Sequence, residues 1–327
     1  VNVSRTKKQH VVPRFYLNKF ADDNGNVWTY SGDSAPRPDK PEATAVESNI
    51  YTPADADGER FDDAEKILGL LESNAAPLWD DLCEGRVFGG GKRDHIALFM
   101  AAQYLRSPSV IRAGAEMAGS MIHHTQKFMA SDKDAHERSM KKYEAETGIS
   151  YSPEEREKIR EFILEPKRYS IDVLRSAGLG MLGSTAELAE LFINMNWVVA
   201  HSEDQHLITS DSPVTRRSDP ATHHPAYGDG AFMNKTVRVQ FPLSPRRIIE
   251  MSWSGQERER VVELPKKLAK VANGVRAASA ERFVYGSKRD QGIEKLSKKW
   301  LSKPKTPKIW TSDGMPEINV KRKLYSR

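Results

Sequence analysis

The sequence has a single cysteine, Cys83, among 327 residues. That excludes an internal disulfide and any metal site built from several thiolates, and it suits a reducing compartment. Long apolar runs are missing as well. None approaches the roughly 18 residues that a membrane helix needs, and apolar residues make up only 38% of the chain against 29% charged. Residues 1–8 are basic but lead into a polar, Pro-containing stretch, with no apolar signal core. These absences predict a soluble, cytoplasmic chain with no membrane partner. There is no internal repeat. The Gly89-Gly90-Gly91 run lacks the following Lys-Ser or Lys-Thr of a phosphate loop, so it reads as a connection between helices. Cys83 closes the amphipathic segment Leu78-Trp79-Asp80-Asp81-Leu82-Cys83, where packing explains a cysteine better than reactivity does.

The charge is unevenly placed. The net charge is +5, yet residues 288–327 hold twelve Lys or Arg against four Asp or Glu, which leaves the preceding part slightly acidic. In that segment Trp300, Trp310 and Tyr325 interleave with Lys298, Lys299, Lys303, Lys305 and Lys308. Such a composition can follow a phosphate backbone and stack on bases, with Trp300 and Lys303 as contacts. It also fits a solvated tail that docks its tryptophans and keeps its lysines in water.

Texture along the chain predicts an α+β protein. Residues 1–60 lack helical periodicity and hold short strand candidates at 27–30 and 49–52 between Asp/Asn/Gly turns. From Asp62, a capped stripe of Ile67, Leu68, Leu70 and Leu71 starts a helical bundle over 61–195. Its further helices fall at about 93–106 (closed by Pro108), 110–129, 135–146, 153–164 with Pro at the first turn, and 171–194 interrupted by Gly178, Gly180 and Gly183. Residues 196–287 turn strand-like, with β-branched and aromatic segments at 197–200, 206–209, 237–241 and 248–253 that suggest a small antiparallel sheet in the C-terminal half. A last helix at 265–282 precedes Phe283-Val284-Tyr285-Gly286. One domain over 1–287, followed by the basic segment 288–327, is the expected organisation.

Four short motifs are over-specified for a generic core. They are His10-x-x-Pro13-x-x-x-Leu17-x-x-Phe20, the helical Gln103-x-x-Arg106-Ser107-Pro108, Ser210-Asp211-Ser212-Pro213, and Pro242-Leu243-Ser244-Pro245. In this order they resemble the bacterial family catalogued as domain of unknown function 4238, over about residues 8–287. Some members of that family resemble anti-phage defence proteins, so the resemblance implies a biological context and names no reaction.

The polar motif residues form the candidate site. His10 is a natural proton shuttle for phosphodiester chemistry, with Arg14 beside it, and equally a histidine that bonds a carbonyl while Tyr16, Leu17 and Phe20 anchor the N-terminus. Gln103 and Arg106 share a face of an otherwise apolar helix, and a buried arginine demands an acidic partner or an anionic ligand. Asp211 is the expected partner, and its position at a strand exit also suits capping a turn or holding a divalent metal. Glu72 is the second metal candidate. Ser210 and Asn273 are substrate-binding candidates, and Glu65 is a further acid in reserve.

Specific nuclease and zinc signatures do not fit. No Asn-then-His spacing follows His10-Val11-Val12-Pro13, and Pro220 interrupts the helix that Arg217 and His223 would require. The pairs His123-His124 and His223-His224 lack the i, i+4 geometry of a zinc helix. The expectation is a defence effector acting on nucleic acid or nucleotides, with His10, Gln103, Arg106 and Asp211 as catalytic residues and a divalent metal as the candidate cofactor. The alternative is a non-enzymatic sensor or adaptor triggered by a phage protein or other phage product. A nuclease should gather the four side chains around an open pocket; an adaptor should show them paired internally, with an apolar patch exposed elsewhere.

Overall fold

A computed structural model describes residues 8–48, 50–51, 62–86, 89–165, 169, 171, 173, 175–224, 228–255 and 259–302. In chain order the elements are β1 (Lys8–His10), α1 (Arg14–Leu17), β2 (Val27–Tyr30), β3 (Arg37–Asp39), β4 (Val46–Ser48), α2 (Asp63–Ala75), α3 (Trp79–Cys83), α4 (Gly91–Leu105) and α5 (Pro108–Ser131). Then follow α6 (Lys133–Thr147), α7 (Pro153–Leu164), α8 (Thr185–Asn194), β5 (Asn196–His201), β6 (Thr209–Ser210), β7 (Thr215–Arg217), β8 (Arg238–Ser244), β9 (Arg247–Ser252), β10 (Glu259–Glu263), α9 (Lys266–Ser279), β11 (Val284–Gly286) and α10 (Gln291–Leu301). The fold is α+β, with helices between two strand-rich ends of the chain.

Contacts divide the chain into two compact units: the described residues up to Arg112 together with those from Leu179 onward, and Ala113–Gly178. In the larger unit, β10-β5-β9-β8-β7 form one sheet, antiparallel except where the edge strand β10 runs parallel to β5. A second sheet, β3-β2-β11-β6, is antiparallel throughout, and β1 pairs with β4. The expected C-terminal sheet is present, but sheet is not confined to that half. The strands β2 and β3 join β11 across more than 200 residues, a pairing set by shared burial, which local pattern does not carry. The strand expected at 49–52 does not form at Ile50 and Tyr51, and its two ends lie outside the described residues. The extended pieces here are β1 and β4, short and carrying charge, so their pattern is weak.

The helices follow their sequence signals closely. Pro108 opens α5 instead of only closing α4, since a proline's missing N–H costs nothing in a first turn. The segment at 171–194 breaks into a 3₁₀ stretch, Arg175–Ser184, followed by α8. In that stretch glycines weaken the α-helix. The core of the larger unit centres on Trp79, whose indole edge-packs on Phe15, Tyr16, Phe99 and Phe241 and donates to the Leu243 carbonyl at 3.1 Å. Edge-to-face aromatic pairs add roughly 0.5–1.5 kcal/mol each beyond their burial. Arg93, buried on α4, pairs with Glu259 and lies 4.1 Å over the Trp197 ring, which ties the edge strand β10 to the helices.

The second unit holds most of α5 with α6 and α7. Asp132 caps α6, Gly148 ends it in the left-handed conformation (φ 74°), and Ser152 with Glu155 form a capping box at α7. Arg156 on α7 reaches Glu137 and, at 2.8 Å, Glu144 on α6, while Arg160 donates to the Ala130 carbonyl of α5 at 3.1 Å. Met117, Met121 and Phe128 share one side of α5 and are 52%, 64% and 76% exposed.

Candidate functional site

The N-terminal motif enters the core as an extended strand, and alternation sorts its side chains. Gln9 points inward and is buried; His10 points the other way and is half-buried. The Gln9 amide donates to Glu65 Oε2 at 2.7 Å and accepts the Tyr51 backbone N–H at 2.8 Å. The His10 ring comes no closer than 3.4 Å to the Pro41 carbonyl, a long contact. Arg14 opens α1 with its side chain exposed.

The helical motif completes a network from the same side. Gln103 donates to the Val11 carbonyl at 3.0 Å, and its own oxygen accepts from Arg106 Nε at 2.9 Å and Nη2 at 2.5 Å. Arg106, 2% exposed, spends its Nη1 on Glu72 at 2.6 Å. The acidic partner of Arg106 is therefore Glu72 on α2, one helical surface away, and not Asp211. The i, i+3 geometry of Gln103 and Arg106 on α4 leaves the guanidinium facing α2, where an acid at 72 meets it without any backbone adjustment.

Asp211 has a different task. Its carboxylate accepts the backbone N–H groups of Glu281 at 2.7 Å, Arg282 at 2.6 Å and Phe283 at 3.0 Å, and its own N–H donates to the Phe283 carbonyl at 3.2 Å. It thus caps the turn that carries the chain from α9 into β11, one of the roles its sequence position allowed. Charge-assisted bonds of this kind are about twice as strong as neutral ones. Ser210 accepts from the Ser212 N–H at 3.2 Å, and Asn273 clamps the segment entering β6 by accepting from Ile208 N–H at 3.1 Å and donating to the His206 carbonyl at 2.8 Å. Ser109 and Ser212 hydroxyls meet at 3.3 Å, so the residue that follows the helical motif touches the Ser-Asp motif there.

As a metal set the candidates do not converge: among the described residues no three His, Cys, Asp or Glu side chains gather as ligands. Glu72 is committed to Arg106 and Asp211 to a turn. A cavity of about 20 Å³ is lined by Leu82, Gly85, Trp197 and Val261, room for about one water and away from every motif residue. Trp300 on α10 is 38% exposed, with the Lys299 ammonium 5.1 Å from its ring centroid. Lys303 lies outside the described residues, as do Trp310 and Tyr325.

Two more buried polar residues take part, Tyr16, expected only as an anchor of the N-terminus, and Arg276, which no motif marked. The Tyr16 hydroxyl bonds both the Thr209 hydroxyl and the Pro242 carbonyl at 2.7 Å, and burial pushes its ionisation far above the ordinary tyrosine range. Arg276, 1% exposed on α9, donates to the Pro213 carbonyl and, at 3.3 Å, to the Gln240 carbonyl, while its Nε has no hydrogen-bond partner among the described residues. Burial lowers its pKa to about 10, opposed by the nearby Tyr16. A signal for Arg276 did exist. Ala269, Ala272, Asn273 and Ala277 mark a small-residue face at helical spacing, and position 276 falls on it.

Gln103, Arg106 and Asp211 thus hold groups of other segments, from Val11 and Glu72 to the 281–283 turn. No curated protein and no solved structure matches this chain. The model of the proteins of unknown function designated DUF4238 does match, over residues 8–290, and the chain belongs to that family.

Proposed function

We propose that this protein is a non-enzymatic sensor or adaptor, in which the motif residues stabilise the fold and binding takes place on the surface. One observation carries the reading: Gln103, Arg106 and Asp211 are spent on Val11, Glu72 and the 281–283 turn. A general base or an oxyanion donor must reach a reacting atom, and these groups face protein. The exposed side of α5 supplies what an adaptor needs. Met117, Met121 and Phe128 offer flexible and aromatic apolar surface of the kind enriched in interfaces. The resemblance to anti-phage defence proteins supplies the setting, a cell in which a phage product is the partner.

The nuclease reading keeps one point of support, His10, whose ring is half-buried and weakly engaged. Phage protection, nuclease activity and melting temperature measured together on His10→Ala, Met121→Asp and Phe128→Asp decide between them. The adaptor reading expects protection lost in the two α5 variants at unchanged melting temperature, with the purified protein leaving RNA and DNA intact. Metal-dependent cleavage by the purified protein, abolished in His10→Ala with its melting temperature unchanged, overturns it.

A further inference from the structure

The helices α9 and α10 pack on one another, and both are strongly one-sided. On α9 the inner face is Ala269, Ala272, Asn273, Arg276 and Ala277; on α10 it is Ile293 and Ser297, with Leu296 and Leu301 against Tyr30, Ile208 and Ala277. Their outer faces carry Lys266, Lys267, Lys270, Lys295, Lys298 and Lys299, all exposed, and Glu294 is the one acid on either helix. Some basic side chains elsewhere in the molecule are matched by acids, as Arg106, Arg93 and Arg156 are. Of these six, only Lys298 has an acidic partner among the described residues, Glu294 at 3.0 Å, and the other five make no ion pair or hydrogen bond with any described residue. Beside them stands Trp300, the exposed tryptophan of α10, its ring already next to a lysine ammonium.

Resting on the reading of this chain as a binding protein, we infer that the α9–α10 surface binds the phosphate backbone of a single-stranded nucleic acid, with Trp300 stacking on a base. Unmatched lysines on two adjoining helices give a positive field of low desolvation cost, which suits a flexible polyanion and releases its condensed counterions. Stacking on an exposed indole needs unpaired bases, so a duplex gains from the lysines alone. An anionic bilayer fits less well. The apolar side of α10, which a membrane-surface helix must bury in lipid, is already spent on the core. The α9 lysines lie outside the tail to which composition alone pointed, and they are held on a folded helix.

The test uses the full-length protein with labelled single-stranded RNA and DNA, the matching duplexes, and phosphatidylserine vesicles, titrated over a range of salt. The structure expects single-strand binding whose logarithmic salt slope falls by at least about two when Lys266, Lys267, Lys270, Lys295 and Lys299 are all changed to Gln, since each lost phosphate contact removes about 0.7. These exposed positions leave the melting temperature in place. Trp300→Ala should weaken single-strand binding about tenfold at unchanged slope and leave duplex binding alone. The inference is overturned if single strands do not bind at about 50 mM salt, if the five-glutamine variant keeps the full affinity and slope, or if only vesicles bind. Cleavage of the bound strand has a different meaning: it overturns the non-enzymatic reading while leaving the partner standing.

Discussion

The Tyr16 hydroxyl meets the Thr209 hydroxyl at 2.7 Å across 193 residues of sequence, and the same oxygen donates to the Pro242 carbonyl at 2.7 Å. Two of the four motifs and the residue that precedes a third meet at this one buried atom, while the Tyr16 ring stacks on Phe241 with centroids 5.0 Å apart. Tyr16→Phe keeps the ring and removes the junction. Its expected cost is about 1–3 kcal/mol, because Thr209 and Pro242 are left buried with one partner fewer. At roughly 2–4 °C per kcal/mol for a unit of this size, calorimetry should show the melting temperature down by several degrees. An unchanged melting temperature would show that water replaces the hydroxyl and that the junction holds nothing.

Arg106 should behave as a core ion pair. Arg106→Ala leaves Glu72 uncompensated and frees the Gln103 oxygen, for an expected loss of about 3–5 kcal/mol in a urea titration. Arg106→Met with Glu72→Gln should recover part of that, since the double change removes the unpaired charge and keeps most of the volume. If Arg106→Ala melts as the wild type does yet loses phage protection, the guanidinium faces a ligand and the network assigned here is wrong.

His206 gives the protein a pH dependence of defined sign. Its ring nitrogen lies 2.9 Å from the Ser287 hydroxyl, and its pKa is lowered below the ordinary histidine value, first by burial and then by Lys288 and Arg246. Below the unfolded value of about 6.5 the unfolded chain takes up a proton that the folded one resists. The stability contributed by the neutral ring is thus complete above that pH and is lost as pH falls toward the lowered folded value. Melting temperatures between about pH 7.5 and 5.5 should fall more steeply for the wild type than for His206→Asn. Parallel curves would show that the ring titrates freely.

Cys83 should be inert. Burial pushes its thiol to about 12, and its Sγ is 3.5 Å from the Leu243 carbonyl. The thiolate is the reactive form, so at pH 8 alkylation in the folded protein should be about a thousandfold slower than in the denatured chain. Labelling at the denatured rate would mean that α3 opens readily from β8.

Local chemistry made much of this protein legible in its sequence. Pro153 at a first turn, the Ser152–Glu155 box, the Gly178–Gly183 run that breaks the helix before α8, and the β-branched strands at 197–200 and 248–253 all act within a few residues, and the elements formed where those signals stand. The motifs identified the family for the same reason, as short strings of residues in order. What the sequence could not say is which distant group each polar side chain meets. Arg106 required an acid, but the choice between Glu72 and Asp211 depended on which helix lies against α4. Asp211 offered a turn cap, an ion pair or a metal ligand, and only the arrival of residues 281–283 at its carboxylate decided among them. The cost of burying an unpaired charge is known from composition alone; the partner that relieves it is a property of the packing, where β2 and β11, or Tyr16 and Thr209, become neighbours without any local signal to announce it.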